Sequence, residues 1–250
     1  MEAGITFMIP KIIHYCWFGR GPLPALAEKC IRSWKTYLPE YQIVCWNEDN
    51  FDLSQYPYAK AAYQERKFAF VTDVCRLHAL REMGGIYMDT DVEILKPLDG
   101  FLLQHRAFSG FEDNFFVPTG LMASEKEGRW VSDLLALYEN RSFYQSDGSL
   151  DLTTNTQTIT EFMRDYKGLM LDNTLQELVD YCTLYPSDFF CPKSWQTLAV
   201  NITNNTYCIH HFAGSWQAKP VLNWRYKTIR FFLGKRRTKV LFAYYQHLKP

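Results

Sequence analysis

No stretch of the 250 residues approaches the roughly 20 consecutive apolar positions needed to cross a bilayer. The opening Met1-Glu2-Ala3-Gly4 lacks the basic start and small-residue cleavage site of a secretory signal, so none is expected. No C-x-x-C pair occurs among the seven cysteines, which stand singly at 16, 30, 45, 75, 182, 191 and 208. An odd, scattered set argues against a disulfide framework or a zinc site and for reduced thiols in a cytoplasm. Internal repeats, low-complexity tracts and an evident linker are also missing. Net charge is zero, with 47% hydrophobic and 22% charged residues, which excludes disorder and collagen-like or small disulfide scaffolds.

Acidic residues are missing from one whole region. All 27 lie before Phe189, where 17 of the 27 Lys+Arg give a net of −10. The other ten cations, from Lys193 to Lys249, face no acid at all. Trp224-Arg225-Tyr226-Lys227 and Ile229-Arg230-Phe231-Phe232-Leu233 mix bulky apolar groups with these cations. Such a segment suits an anionic membrane surface, or a terminal helix with a solvated basic face. A catalytic domain over 1–220 and a basic aromatic extension over 221–250 are the expected divisions.

Apolar spacing predicts strands at Lys11–Tyr15, Gln42–Trp46, Ile86–Met88, Val92–Leu95, Ala107–Phe111 and Leu121–Ala123. It predicts helices at Ala25–Thr36, Gln64–Met83, Trp130–Tyr138 and Thr158–Tyr166. Alternating strands and helices imply an α/β fold with a mostly parallel central sheet covered on both faces.

The chemical signal is Asp89-Thr90-Asp91. It follows Gly84-Gly85-Ile86-Tyr87-Met88, which delivers the chain to the end of a strand. Ligands of open α/β sheets gather at the carboxyl ends of the strands, and two carboxylates there suit Mg²⁺ or Mn²⁺ with phosphate oxygens. A bare D-x-D is weak, and its context carries the weight.

That context is Phe70-Val71-Thr72-Asp73-Val74-Cys75-Arg76-Leu77 through Asp91, with Ile9-Pro10-Lys11-Ile12-Ile13-His14-Tyr15-Cys16-Trp17-Phe18-Gly19 upstream. Together these resemble glycosyltransferase family thirty-two, the sugar-binding region containing a D-x-D motif. A more distant likeness is to the glucosylating domain of large bacterial cytotoxins. The clear match spans Pro10 to about Asp99, with a second patch at Ile209–Pro220.

The resemblance implies a GT-A fold and transfer of a hexose or N-acetylhexosamine from a nucleotide sugar, usually with retention. UDP is the nucleotide implied. Trp17 would stack on the base, Asp73 and Arg76 would bind sugar hydroxyls, and Tyr87 would line the donor site. Asp89 and Asp91 would hold donor and metal. In His210-His211-Phe212-Ala213-Gly214-Ser215-Trp216-Gln217-Ala218-Lys219-Pro220, the H-F-x-G portion favours His211 as the third metal ligand, with His210 the alternative. Ser215, Trp216 and Lys219 would hold the diphosphate. Asn155 and Gln157 fall where relatives place a polar residue near the transferred sugar, and Phe111-Glu112-Asp113-Asn114 is a candidate acceptor segment. No carboxylate stands out as a nucleophile, which favours same-face attack by the acceptor. The implied partners are a nucleotide-sugar donor and a glycan acceptor, lipid-linked as in capsule or O-antigen assembly. The expected location is cytoplasmic, peripheral to the inner face of the membrane. No zinc finger or RNA-binding signature points to nucleic acid. Two rivals are another metal-dependent phosphate enzyme (a nucleotidyltransferase or phosphohydrolase) and a noncatalytic membrane or nucleic-acid adaptor.

Overall fold

The computed structural model describes residues 9–113 and 115–214. A sheet of seven strands organises them. Its strands are β1 (Ile12–Cys16), β2 (Gln42–Trp46), β3 (Gly85–Met88), β5 (Ala107–Gly110), β6 (Leu121–Ser124), β7 (Gln176–Leu178) and β8 (Cys182–Tyr185). They lie in the order β2-β1-β3-β6-β5-β8-β7. Strands β4 (Val92–Ile94) and β9 (Cys208–His210) form a separate antiparallel pair. The helices are α1 (Ala25–Tyr37), α2 (Pro57–Gln64), α3 (Phe68–Met83), α4 (Asp99–Leu102), α5 (Arg129–Ala136), α6 (Asn155–Lys167) and α7 (Ser187–Phe190).

Five of the seven strands point one way. β1 runs parallel to both β2 and β3, and β5 parallel to β8, while β6 and β7 run against their neighbours. Side chains alternate between two buried layers, as a sheet covered on both faces requires. On β3, Ile86 and Met88 join Trp34 of α1 and Phe101 of α4 in one layer. Tyr87, between them, faces the other layer, built from α2, α3, α5 and α6. Trp34 and Trp130, both wholly buried, anchor the two layers. Each removes roughly 200 Å² of mostly apolar surface from water, which at about 25 cal/mol per Å² is several kcal/mol before ordering costs.

One expected boundary is corrected. The helix expected over 64–83 starts later, as α3 at Phe68: Gln64 is the last residue of α2, and Arg66, at φ 56°, turns the chain between the two. The strand expected at Val92–Leu95 is present as β4, which pairs with β9 from near the end of the described chain. At the end of α3, Gly84 has φ +65°, and a Cβ there would lie 2.6 Å from the Lys126 backbone nitrogen. Glycine therefore lets the helix stop and the strand begin without clash.

Candidate active site

Parallel pairing of β1 with β3 brings the carboxyl ends of both strands to one edge of the sheet. Asp89 follows β3 directly there, and Trp17 follows β1. Trp17 is half-buried, and its indole N–H donates to the Gly21 carbonyl at 2.6 Å.

Asp89 is held from beneath. The Tyr87 hydroxyl donates to its Oδ1 at 2.9 Å, and Arg76 Nη1 reaches the same oxygen at 3.3 Å. Arg76 also donates to Asp73 Oδ1 at 3.0 Å and to the Thr119 carbonyl at 2.6 Å, and its guanidinium lies 4.6 Å from the centre of the Tyr87 ring. It is 5% exposed, with its donors turned inward. Three positions along α3 from Asp73, Arg76 ties that carboxylate to Asp89. Tyr87, 1% exposed, lies beneath Asp89. Burial pushes Asp73 up to about 6, against the opposing charge of Arg76, with Asp89 adding to the rise.

Asp91 is fixed from the other side. The Ala213 backbone N–H donates to its Oδ2 at 2.7 Å, and the His211 N–H donates to its main-chain oxygen at 2.9 Å. His210 Nε2 stands 3.3 Å from Asp91 Oδ1 and 3.8 Å from Asp89 Oδ2. Burial works to raise the Asp91 pKa, but His210 and the Ala213 N–H outweigh it and hold the group at about 2. Burial opposes protonation of His210, yet Asp91, Asp89 and Glu112 together raise its pKa.

The histidine beside the aspartates is therefore His210, and the preference for His211 is corrected. Consecutive residues of an extended strand turn opposite ways. Register places His210 opposite Val92, next to Asp91, while His211 Nε2 contacts Glu93 at 2.8 Å. Lys29 donates to the same Glu93 oxygen at 2.7 Å. Phe212, at φ 54°, then turns the chain, sets its ring centre 4.2 Å from that of His210 at a 38° tilt and delivers Ala213 to Asp91. Gly120 completes the seat. Its carbonyl accepts from the Asp89 N–H at 2.8 Å, and a Cβ on it would lie 2.8 Å from His210 Nδ1.

Asn155 is buried at the start of α6, where Tyr138 donates to its Oδ1 at 3.1 Å. Its carboxamide also helps hold the Asp73 carboxyl down. Gln157 is not brought to the site. It sits two residues along the helix, roughly 200° around the axis, and is exposed, donating to Glu161 at 2.9 Å. Ser215, Trp216, Lys219 and the segment 221–250 lie outside the described residues. Glu112, expected only as part of an acceptor segment, is half-buried near His210, and burial pushes it up to about 7. No spacing rule links residue 112 to residue 210, so the adjacency shows only once β5 and β9 are placed.

Donor atoms of Asp89, Asp91 and His210 lie within 4.8 Å of one another, a set of two carboxylates and one imidazole that fits a divalent cation.

Residues 24–108 match the family described as the glycosyltransferase sugar-binding region containing the DXD motif. Inositol phosphoceramide mannosyltransferase 3 of Schizosaccharomyces pombe is 32% identical over 101 residues, which are 38% of this chain and 27% of that protein. The matched stretch is thus about a quarter of that relative's length. Among solved structures, the PaToxG glycosyltransferase has a TM-score of 0.49 at 17% identity, over 66% of this chain and 72% of that one. A glycosyltransferase involved in glycosylation of the major capsid of PBCV-1 has 0.45 at 12%, over 83% and 95%. Over residues 24–108, Asp89 and Asp91 included, the chain is thus similar to the sugar-binding region of the D-x-D glycosyltransferases.

Proposed function

We propose that the protein is a metal-dependent GT-A glycosyltransferase that moves a hexose or N-acetylhexosamine from a nucleotide sugar, UDP-linked by preference, to a glycan acceptor. One observation carries this reading. Each aspartate has one oxygen tied to the protein and the other turned toward His210: Asp89 through Oδ2, Asp91 through Oδ1. Carboxylates oriented in this way cost little to reorganise when a cation enters.

Asp89, Asp91 and His210 would hold Mn²⁺ or Mg²⁺, and that cation supplies charge stabilisation for a departing nucleoside diphosphate. Arg76 and Tyr87 keep Asp89 aimed. Asp73 and Asn155, side by side, would present polar groups to the transferred sugar, with Trp17 under the base. Lys219, Ser215 and Trp216 would face the diphosphate. Retention would follow from same-face attack, the acceptor proton passing to the leaving phosphate. A lipid-linked capsule or O-antigen intermediate suits a catalytic domain over 1–220 followed by a basic aromatic extension over 221–250. That extension would rest on the inner face of the cytoplasmic membrane.

Thermal stabilisation tests the core of this, because a ligand that binds only the folded protein raises its melting temperature. One UDP-sugar should stabilise the wild type in Mn²⁺ and fail to do so with chelator or in Asp91→Ala. If no nucleotide sugar shifts melting of the folded protein, the donor site is refuted.

A further inference from the structure

Among the described residues, two triads of side chains have potential metal-binding atoms mutually within 4.8 Å. One is Asp89, Asp91 and His210. The other is Glu112, Cys191 and His210; Glu112 otherwise belongs only to the candidate acceptor segment, and Cys191 has no part in the transferase reading. We propose that Glu112, Cys191 and His210 form a second cation site, selective for zinc, which competes with the Asp89–Asp91 site for the shared histidine.

The donor chemistry sets the preference. A thiolate, an imidazole and a carboxylate are the ligands zinc takes, three from the protein with a fourth position open. A thiolate is soft and a poor partner for Mg²⁺ or Mn²⁺, while a pair of carboxylates suits those harder ions. The two triads therefore differ in the metal they select.

The surroundings leave the second triad short of partners. Among the described residues, His210 Nδ1 is buried with no hydrogen-bond partner and no donor reaches the Glu112 carboxylate. Among those residues Cys191, which is buried, has only a weak contact from its Sγ to the Lys193 carbonyl, at 4.0 Å. Zinc would displace the proton: the S–H bond breaks, the sulfur pair bonds to the metal and the proton leaves to solvent. This narrows the expectation that the scattered cysteines exclude a zinc site. Cys191 is alone in sequence, and its co-ligands come from residues 112 and 210.

Competition follows from imidazole itself. A neutral ring has one free lone pair and one N–H, so His210 serves one cation at a time. Zinc held by Cys191 would withdraw His210 from Asp89 and Asp91. The binding claim stands by itself, whereas the inhibitory consequence rests on the transferase reading.

Co²⁺ is the probe, since its bond to a thiolate gives a charge-transfer absorption that carboxylate and imidazole ligands do not. The full-length protein should show this band, as should Asp91→Ala, and Zn²⁺ should displace it. Cys191→Ser and Cys191→Ala should lose the band while melting near the wild-type temperature. Two variants are used because either one alone could misfold. Electron paramagnetic resonance of bound Mn²⁺ gives the second readout. Zn²⁺ should release Mn²⁺ from the wild type at a concentration at least about tenfold lower than from Cys191→Ser, the thiolate being the strongest zinc ligand of the three. Absence of the band, its persistence without Cys191, or equal Zn²⁺ competition in both proteins would overturn the site. A thiolate band in a protein that binds no Mn²⁺ would keep the zinc site and remove the Asp89–Asp91 cation site.

Discussion

Replacing Arg76 by methionine tests the arrangement beneath the aspartates. Methionine keeps an unbranched apolar stem and deletes the charge and every N–H. The loss includes hydrogen bonds to Asp73 at 3.0 Å, Asp89 at 3.3 Å and the Thr119 carbonyl at 2.6 Å. Asp73 is 8% exposed, so its carboxylate would stay buried without a counter-charge. Breaking a buried pair by removing one member costs about 3–5 kcal/mol. For a chain of this size each kcal/mol moves the melting temperature by about 2–4 °C, so Arg76→Met should melt about 10 °C below wild type. The loss is within the usual total stability of about 5–15 kcal/mol, which leaves a folded protein at room temperature.

The deficit should depend on pH in a set direction. Burial already lifts Asp73 from 3.8 to about 6, with Arg76 opposing the rise. Without Arg76 the group should rise further. Below that pKa the folded protein binds a proton at Asp73 and the unpaired charge disappears, so the gap to wild type should narrow from pH 7.5 to pH 5. Asp73→Asn in the Arg76→Met background should recover part of the loss at neutral pH. Melting curves followed by circular dichroism at both pH values are the assay. An unchanged melting temperature, or a gap that widens as pH falls, would refute the reasoning.

Three further outcomes are expected. His210→Ala should abolish Mn²⁺ binding seen by electron paramagnetic resonance while His211→Ala retains it, and the reverse would overturn the choice between them. Gly120→Ala places a Cβ 2.8 Å from His210 Nδ1 and should weaken Mn²⁺ binding by roughly tenfold, the usual cost of disturbing a group behind a metal ligand. Asp151 accepts from Arg141 Nε at 2.7 Å; burial works to raise its pKa, but Arg141 and Thr153 outweigh it and lower the group. Its stabilisation is therefore full above the ordinary aspartate value of 3.8 and lost as pH falls further. Asp151→Asn should melt below wild type at pH 7, and the gap should close as pH falls below 3.8.

Local patterning was enough for much of the framework. Gln42–Trp46 is a strand over the residues its apolar content predicts, and Ala25–Tyr37 is one residue longer than expected. Asp89 and Asp91 were legible because a buried strand, a glycine pair and a carboxylate doublet sit together within a few residues. The short strands β7 and β9 were not, because their three residues hold too little pattern to separate from loop.

Side-chain direction is where sequence stopped. His210 and His211 are chemically identical neighbours, and only the pairing of β9 with β4 decides which one reaches the aspartates. Asn155 and Gln157 were equal candidates until α6 buried one and exposed the other. For Arg76, spacing shows that it adjoins Asp73 but not that it also meets Tyr87, Asp89 and the Thr119 carbonyl. Residue type and order determined which chemistry the chain holds. Strand register and burial decided which atoms meet, because contacts between residues 76 and 119, or 112 and 210, exist only after the intervening chain has folded.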